Sequence, residues 1–454
     1  MDPTTRDFIE QMIDHFQDLK VLMIITYRPE FGPPWRGRGH VAQLSVGRLN
    51  RRWASAMVSE ICGDKSLPEE LSDQIIEKTD GIPLFIEKLT KTVLESGLLT
   101  DDGDRYQHAG PLPPLAIPAT LQDSLMARLD RLAPVKDVAQ IGAVIGREFS
   151  HHILAKLAPM GERELNESLV RLVESELVLR RGDGADTVYV FKNAMVQDVT
   201  YGALLKSRRR TLHAEIAKIL DADTGDGGDA VPEVVAHHYA EADMPEAATR
   251  CWLRAGRRAS ERLAHQEATV HLEKGLALIE NLAPGNARTD FEIGLNLALG
   301  TALIATLGLI EPVKAAFNRA REPSTRRGRN TERFVATWGL WHFNNVRSSF
   351  SAATEFAEEL LDLADDQDDS GLRLQAHHAS WTSNLYIGEF SLTKEHAEFG
   401  LRSYDIDQHR NHKFVYGGHD PGVCLSYHRQ RDSVGARLSR SGSDTLRRGG
   451  CLGG

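Results

Sequence analysis

The sequence predicts a mainly α protein: a short α/β remnant, a helical segment, a winged-helix domain, and then a long α-solenoid. Three observations predict it. An apolar, partly β-branched run lies at 20–26 behind one amphipathic pattern. Two β-rich runs joined by Asp and Gly follow a set of helical patterns. From Pro232 to about Phe414 the periodicity is helical throughout, with small residues recurring at fixed places. With 454 residues the chain is too long for one core, and about two to four domains are expected.

The first element, at 7–19, places Phe8, Ile9, Met12, Ile13 and Phe16 on one helical face. The run Lys20 to Thr26 reads as a short buried strand, stopped by Pro29, which cannot donate to a ladder. Helix then strand is the tail end of a parallel α/β sheet. One strand is no sheet, so the chain either borrows strands or lacks its beginning. Helical periodicity then fills Asn50 to Leu99, completing a first domain at 1–100, and the Pro/Gly-rich stretch 101–118 reads as a linker. Helical patterns at 121–132, 135–145 and 162–176 precede runs at 177–181 and 187–191. Three helices and then a hairpin is the order of a winged helix, here 119–222.

Trp252, Ala255, Gly256, Ala268, Leu272 and Gly275 have the spacing of a tetratricopeptide repeat. Phe350, Ala357 and Leu361 recur 40 residues later as Phe390, Ala397 and Leu401. Small residues let paired helices approach closely, and stacked pairs share one core, so 232–415 reads as a solenoid, with a generic helical bundle as the bland alternative. After Cys424 the sequence turns to Ser, Arg and Gly without period, and disorder is expected over 416–454. A basic interaction tail or a shifted reading frame would give the same composition.

Composition excludes several classes. The longest uninterrupted apolar stretch is Val21 to Ile25, short of the roughly 20 residues of a membrane span, and no secretory signal is visible at the N-terminus. Cys62, Cys251, Cys424 and Cys451 form neither a disulfide framework nor a zinc spacing, which fits a reducing cytoplasm. No Gly-x-x-x-x-Gly-Lys-Ser/Thr loop, Gly-x-Ser-x-Gly elbow or His-Glu-x-x-His pair occurs, so no catalytic residue is assigned. The doublets His151-His152, His237-His238 and His377-His378 are packing or solvated histidines rather than metal pairs. Neighbours on a helix point about 100° apart, and metal pairs want i, i+4.

A distributed set of motifs remains: Asp2-Pro3-Thr4-Thr5; Ile24-Ile25-Thr26-Tyr27-Arg28-Pro29-Glu30-Phe31; Thr79-Asp80-Gly81-Ile82-Pro83-Leu84-Phe85-Ile86-Glu87; Pro118 to Leu132; Gly146-Arg147-Glu148-Phe149; Phe191-Lys192-Asn193-Ala194 to Tyr201; and Pro232-Glu233 to His237-His238-Tyr239. Together they resemble the STAND class of bacterial signalling ATPases, switch-type relatives of AAA ATPases that are often fused to adenylate or guanylate cyclase domains. The resemblance spans residues 1 to about 424. It implies that the α/β remnant is the end of a P-loop ATPase domain with its helical lid.

The resemblance also implies roles. Arg28 matches a sensor arginine reading the γ-phosphate, a task suited to an always-charged planar fork; as a bare residue it is a strand-end cap. Gly81 and Pro83 match a motif whose proline packs on adenine; as bare residues they start a helix. Asn193 stands where the family has a histidine contacting the β-phosphate of ADP, and it cannot carry that charge. The family's phosphate loop and Mg²⁺-holding acid lie before the point matching Asp2. Four charge-assisted hydrogen bonds, each worth roughly 1.5–3 kcal/mol, are then missing. Their loss costs about 6–12 kcal/mol, a factor on the order of 10⁴ to 10⁸ in affinity. The intact family uses ATP or ADP with Mg²⁺; this chain is expected to bind nucleotide weakly or not at all and not to hydrolyse it.

The function expected is a regulatory, signal-transducing fragment that binds a protein or peptide through its repeats, with self-association open. The alternative of a DNA-binding regulator rests on Lys206, Arg208, Arg209 and Arg210. Against it stand the net charge of −10 and an acidic third helix, where Glu164, Glu167, Glu174 and Glu176 outnumber Arg163 and Arg171. A piece of a cyclase-fused protein, without cyclase activity of its own, is the other alternative.

Overall fold

The computed structural model describes residues 2–16, 19–27, 31–63, 65–95, 99–101, 105–108, 133–182, 187–192, 194–223, 231–367, 369–417 and 420–426. Two compact units emerge. One holds 16–223 with 241–243, and the other holds 2–15 with the remaining described residues from 231 on.

The first unit opens with three helices, α2 (Arg51–Ile61), α3 (Glu69–Thr79) and α4 (Pro83–Glu95). Asn50 caps α2, its side chain accepting from the Trp53 amide at 3.1 Å. The apolar stripes of the three meet in a core of Ala54, Val58, Leu71, Ile75, Ile86 and Leu89. Strands β1 (Leu99–Asp101) and β2 (Tyr106–His108) pair antiparallel, so the expected linker begins as a hairpin. The helical pattern at 121–132 lies outside the described residues.

Next come α5 (Ala133–Ile145), β3 (Glu148–Ser150), α6 (His151–Leu157), α7 (Glu162–Glu174), β4 (Val178–Arg181) and β5 (Val188–Phe191). The sheet runs β3-β5-β4, all antiparallel. Phe149 carries β3 into the core and lies over Gly142 of α5, where an added Cβ would sit 2.9 Å from the ring. Strand β3 and helix α6 were not expected; three-residue strands and two-turn helices leave almost no period to read. Two helices, α8 (Ala194–Gly202) and α9 (Lys206–Asp223), complete the unit.

The second unit stacks α10 (Pro232–Glu241), α11 (Pro245–Glu261), α12 (His265–Ala277), α13 (Asn286–Leu307), α14 (Glu311–Arg326), α15 (Asn330–Val346), α16 (Phe350–Asp365), α17 (Ser370–Ile387) and α18 (Phe390–Ser403). From α11 on, each helix packs chiefly on its successor, and first helices also touch first helices (α11 with α13, α13 with α15, α15 with α17). That is the nearest-neighbour pattern of a helical repeat. Glycines set the approach distance: a Cβ on Gly256 would lie 2.5 Å from Leu272, and Phe317 fills the space left by both Gly300 and Gly339. Helix α1 (Pro3–His15) also belongs here, its Asp7 accepting from Gln266 of α12 at 2.8 Å.

Three expectations need correction. Residues 21–27 form no strand, and Leu22 and Ile24 are 85% and 78% exposed, because the described residues offer that run no ladder partner. The first helix runs from Pro3 and stops at His15, with Phe8 exposed, and its unit is the repeat stack rather than a 1–100 domain. Residues 416, 417 and 420–426 are ordered: Tyr416 and Leu425 are buried and Tyr404 donates to Asp420 at 3.0 Å. Residues 427–454 lie outside the described part. Helix α13 is by length and composition apolar enough to cross a membrane, yet Leu295, Leu299 and Leu303 are packed in the stack.

Candidate functional site

Among the described residues, two places bear on the predicted nucleotide contacts and on the repeat face. The first is the turn before α4. Thr79 ends α3 with its hydroxyl donating to the Ile75 carbonyl at 2.8 Å. Asp80 and Gly81 then both take left-handed φ, +49° and +69°. Gly81 is required twice over, since a Cβ there would lie 2.2 Å from the Leu49 carbonyl oxygen, while the Leu49 amide donates to the Gly81 carbonyl at 2.7 Å. Arg48 pairs with Asp80 across the same junction. Pro83 follows as the first residue of α4, its ring exposed. Arg28 and Asn193 lie outside the described residues, so of the four predicted nucleotide contacts only Gly81 and Pro83 are placed, together, on one turn.

What binds α4 to the β-hairpin edge next to position 193 was not expected. Glu176 follows α7 with φ +54°, and one of its carboxylate oxygens accepts from Lys91 of α4 at 2.7 Å and from Lys192 at 3.2 Å. These two hydrogen bonds hold the Glu176 carboxyl down at about 2. Bonding to Glu176 raises Lys91 in turn. Burial alone would raise Glu87, but Lys88, Lys91 and Lys192 hold it below its ordinary value. Three lysines thus meet two carboxylates beside residue 193, a local excess of one positive charge. No spacing in the sequence could signal this, since Lys91 and Glu176 are 85 positions apart.

The second place is the first-helix face of the stack. Residues after α18 fold back across it through two short turns of helix, α19 (Ile406–His409) and α20 (His412–Val415). The Thr301 hydroxyl of α13 donates to the Val415 carbonyl at 3.2 Å, and Gly417 sits against Ile304, where a Cβ would lie 3.1 Å away. Tyr416 is 4% exposed and meets Trp338 of α15 at 5.1 Å between ring centroids. Burial pushes its hydroxyl above the ordinary range. Gln375 of α17 donates to His412 Nδ1 at 2.9 Å, and His378 is within 3.2 Å of the same amide's oxygen. Burial first, then His409, lowers His412 to about 4. One peptide segment therefore touches three successive first helices. Members of the His377-His378 doublet face different neighbours: His377 stacks on Phe399 and His378 lies by Trp381.

No family model matches the chain. It is 25% identical over 430 residues to an uncharacterized protein of Rhizobium meliloti (strain 1021), across 93% of this chain and 41% of that one. The chain thus spans about two fifths of that relative's length. Among solved structures, a Signal Transduction ATPase with Numerous Domains (STAND) protein with a tetratricopeptide repeat sensor from Pyrococcus horikoshii aligns over 85% of this chain and 58% of that chain, at 12% identity and a TM-score of 0.36.

Proposed function

We propose that the chain is a regulatory, signal-transducing module that binds a protein or peptide along the first helices of its repeats, with its own residues 405–417 as a resident occupant of that face. The observation that carries this reading is Tyr416, a side chain from outside the repeats buried against Trp338. A face that takes up one short segment with an aromatic anchor is chemically equipped to take up another. The occupant then competes with any partner, and partner affinity falls by the fraction of molecules in which the segment is seated.

The element order from α5 to β5 supports a winged helix. The left-handed Gly81 and exposed Pro83 support a nucleotide-facing turn, to which Arg28 and Asn193 would add phosphate contacts. In this reading the Lys91–Glu176–Lys192 link would transmit nucleotide state between the α4 turn and the wing. Without a phosphate loop in this chain, ATP or ADP with Mg²⁺ would bind weakly or not at all.

A labelled synthetic peptide of residues 405–417, titrated into the full chain, tests the reading. Tyr416→Ala should bind it and the unaltered chain should not; equal binding to both, or binding to neither, would overturn the competition. Calorimetric titration with Mg²⁺-ATP and ADP tests the nucleotide arm. No heat up to millimolar nucleotide is expected, and micromolar binding would mean that Gly81, Pro83, Arg28 and Asn193 suffice as a site.

A further inference from the structure

Glu233 in the first turn of α10, with Glu267 and His271 one helical turn apart on α12, brings two carboxylates and an imidazole together, their donor atoms within 4.8 Å of one another. His271 Nε2 lies 3.4 Å from a Glu267 oxygen. A tetrahedral ion with bonds of about 2.1 Å sets its donors about 3.4 Å apart. The i, i+4 pair therefore already has the edge that such an ion needs. The imidazole is fixed rather than free: its side chain is 10% exposed and its ring stacks on Trp252 at 5.4 Å and 27°. Lys274 Nζ covers Trp252 as well, 4.8 Å from the ring centre. Both carboxylates are half-buried, and among the described residues neither forms an ion pair with a Lys or Arg. Two adjacent carboxylates repel unless a cation lies between them.

We propose that Glu233, Glu267 and His271 form a three-ligand site for a divalent transition metal of the Zn²⁺ class, which fastens α10 to α12. The mixed donor set favours this class over Mg²⁺, because imidazole nitrogen suits Zn²⁺ and its neighbours while Mg²⁺ demands oxygen donors. The remaining coordination position is left to water or to a ligand atom. Binding also carries a built-in penalty. His271 Nδ1 is buried without a hydrogen-bond partner, so coordination through Nε2 moves the ring proton to a nitrogen with no acceptor. Affinity is weakened by about 10–100-fold relative to a site in which that N–H is bonded.

The test is calorimetric titration of the chelator-treated full chain with ZnCl₂, and in parallel with MgCl₂. One Zn²⁺ per chain is expected, with affinity falling about 10–100-fold in Glu267→Gln and in Glu233→Gln. His377→Gln, at the separate His377–His396 pair, should leave that binding unchanged. No Zn²⁺ binding up to millimolar metal would overturn the site. So would binding that survives both glutamine variants, or tighter binding of Mg²⁺ than of Zn²⁺. Circular dichroism checks that each variant keeps its helices; if Glu267→Gln loses them, Glu233→Gln and His271→Gln carry the comparison.

Discussion

In the repeat stack large side chains meet the bare backbone of a neighbouring helix: Leu272 against Gly256, Leu295 against Gly275, Trp381 against Gly400, and Phe317 between Gly300 and Gly339. In the 16–223 unit the apolar residues cluster in two separate cores, while Leu22, Ile24, Leu44 and Val46 stand more than three-quarters exposed. There a polar link, Lys91 to Glu176 to Lys192, joins helix α4 to the hairpin edge. The difference teaches how order is distributed. In the stack, contacts between sequence neighbours build the interior, whose two apolar clusters share Phe356, whereas in the other unit α4 and the hairpin edge are joined by residues far apart in the sequence, such as Lys91 and Glu176.

The sharpest way to break this comparison is to remove the side chain on which two glycines converge. Phe317→Ala should destabilise the repeat unit by about 3–5 kcal/mol, the range for a buried aromatic that leaves a cavity. Gly339→Ala should cost less, since a gain in helix propensity of roughly 1 kcal/mol offsets the crowding of a Cβ placed 2.5 Å from the Phe317 ring. Urea unfolding followed by tryptophan emission reports on both, because Trp338, Trp341 and Trp381 lie within the stack. A loss below 1 kcal/mol in Phe317→Ala would mean that the stack is loosely packed and that the contrast is misdrawn.

The same contrast explains what was legible. The helices of the stack could be read because their periodicity is local, and the recurrence of Phe350 as Phe390 marks two helices that each begin at the phenylalanine. The pair Glu267 and His271 was readable too, at i, i+4, but its third member comes from α10 and has no fixed spacing. The strand expected at 20–26 fails because a ladder is a property of two segments, and no partner for that run occurs among the described residues. Order at 416–426 was hidden by averaging: Tyr416, Pro421 and Leu425 are buried anchors within a stretch whose mean composition is Ser, Arg and Gly. Glu176 was visible only as one acid in an acidic helix, since Lys91 and Lys192 reach it from other elements.

A second break falls on the α4 turn. Gly81→Ala should cost roughly 1–3 kcal/mol from the left-handed φ alone, and the clash with the Leu49 carbonyl adds to it. The loss should be local. Hydrogen exchange should quicken in α2 and α4 and stay unchanged in α11 to α18; exchange that quickens throughout the chain would show that the two units unfold as one.

The smallest effect is the most diagnostic. Glu176 has a folded-state pKa of about 2 against an ordinary 4.5, because Lys91 and then Lys192 donate to it. A carboxyl depressed on folding contributes stability that is complete above its unfolded pKa and is lost as pH falls through the folded one. Wild type and Glu176→Gln should therefore differ by a constant amount above about pH 5, converge below it, and match only once the pH falls below about 2. The carboxylate is 43% exposed, so the constant difference is about 1 kcal/mol or less once solvent screening is counted. Denaturation midpoints measured from pH 7 to pH 2 give the curve. A difference that persists unchanged to pH 2 would assign the loss to packing of the glutamine rather than to the two lysines, and the link between α4 and the hairpin edge would then be steric and not electrostatic.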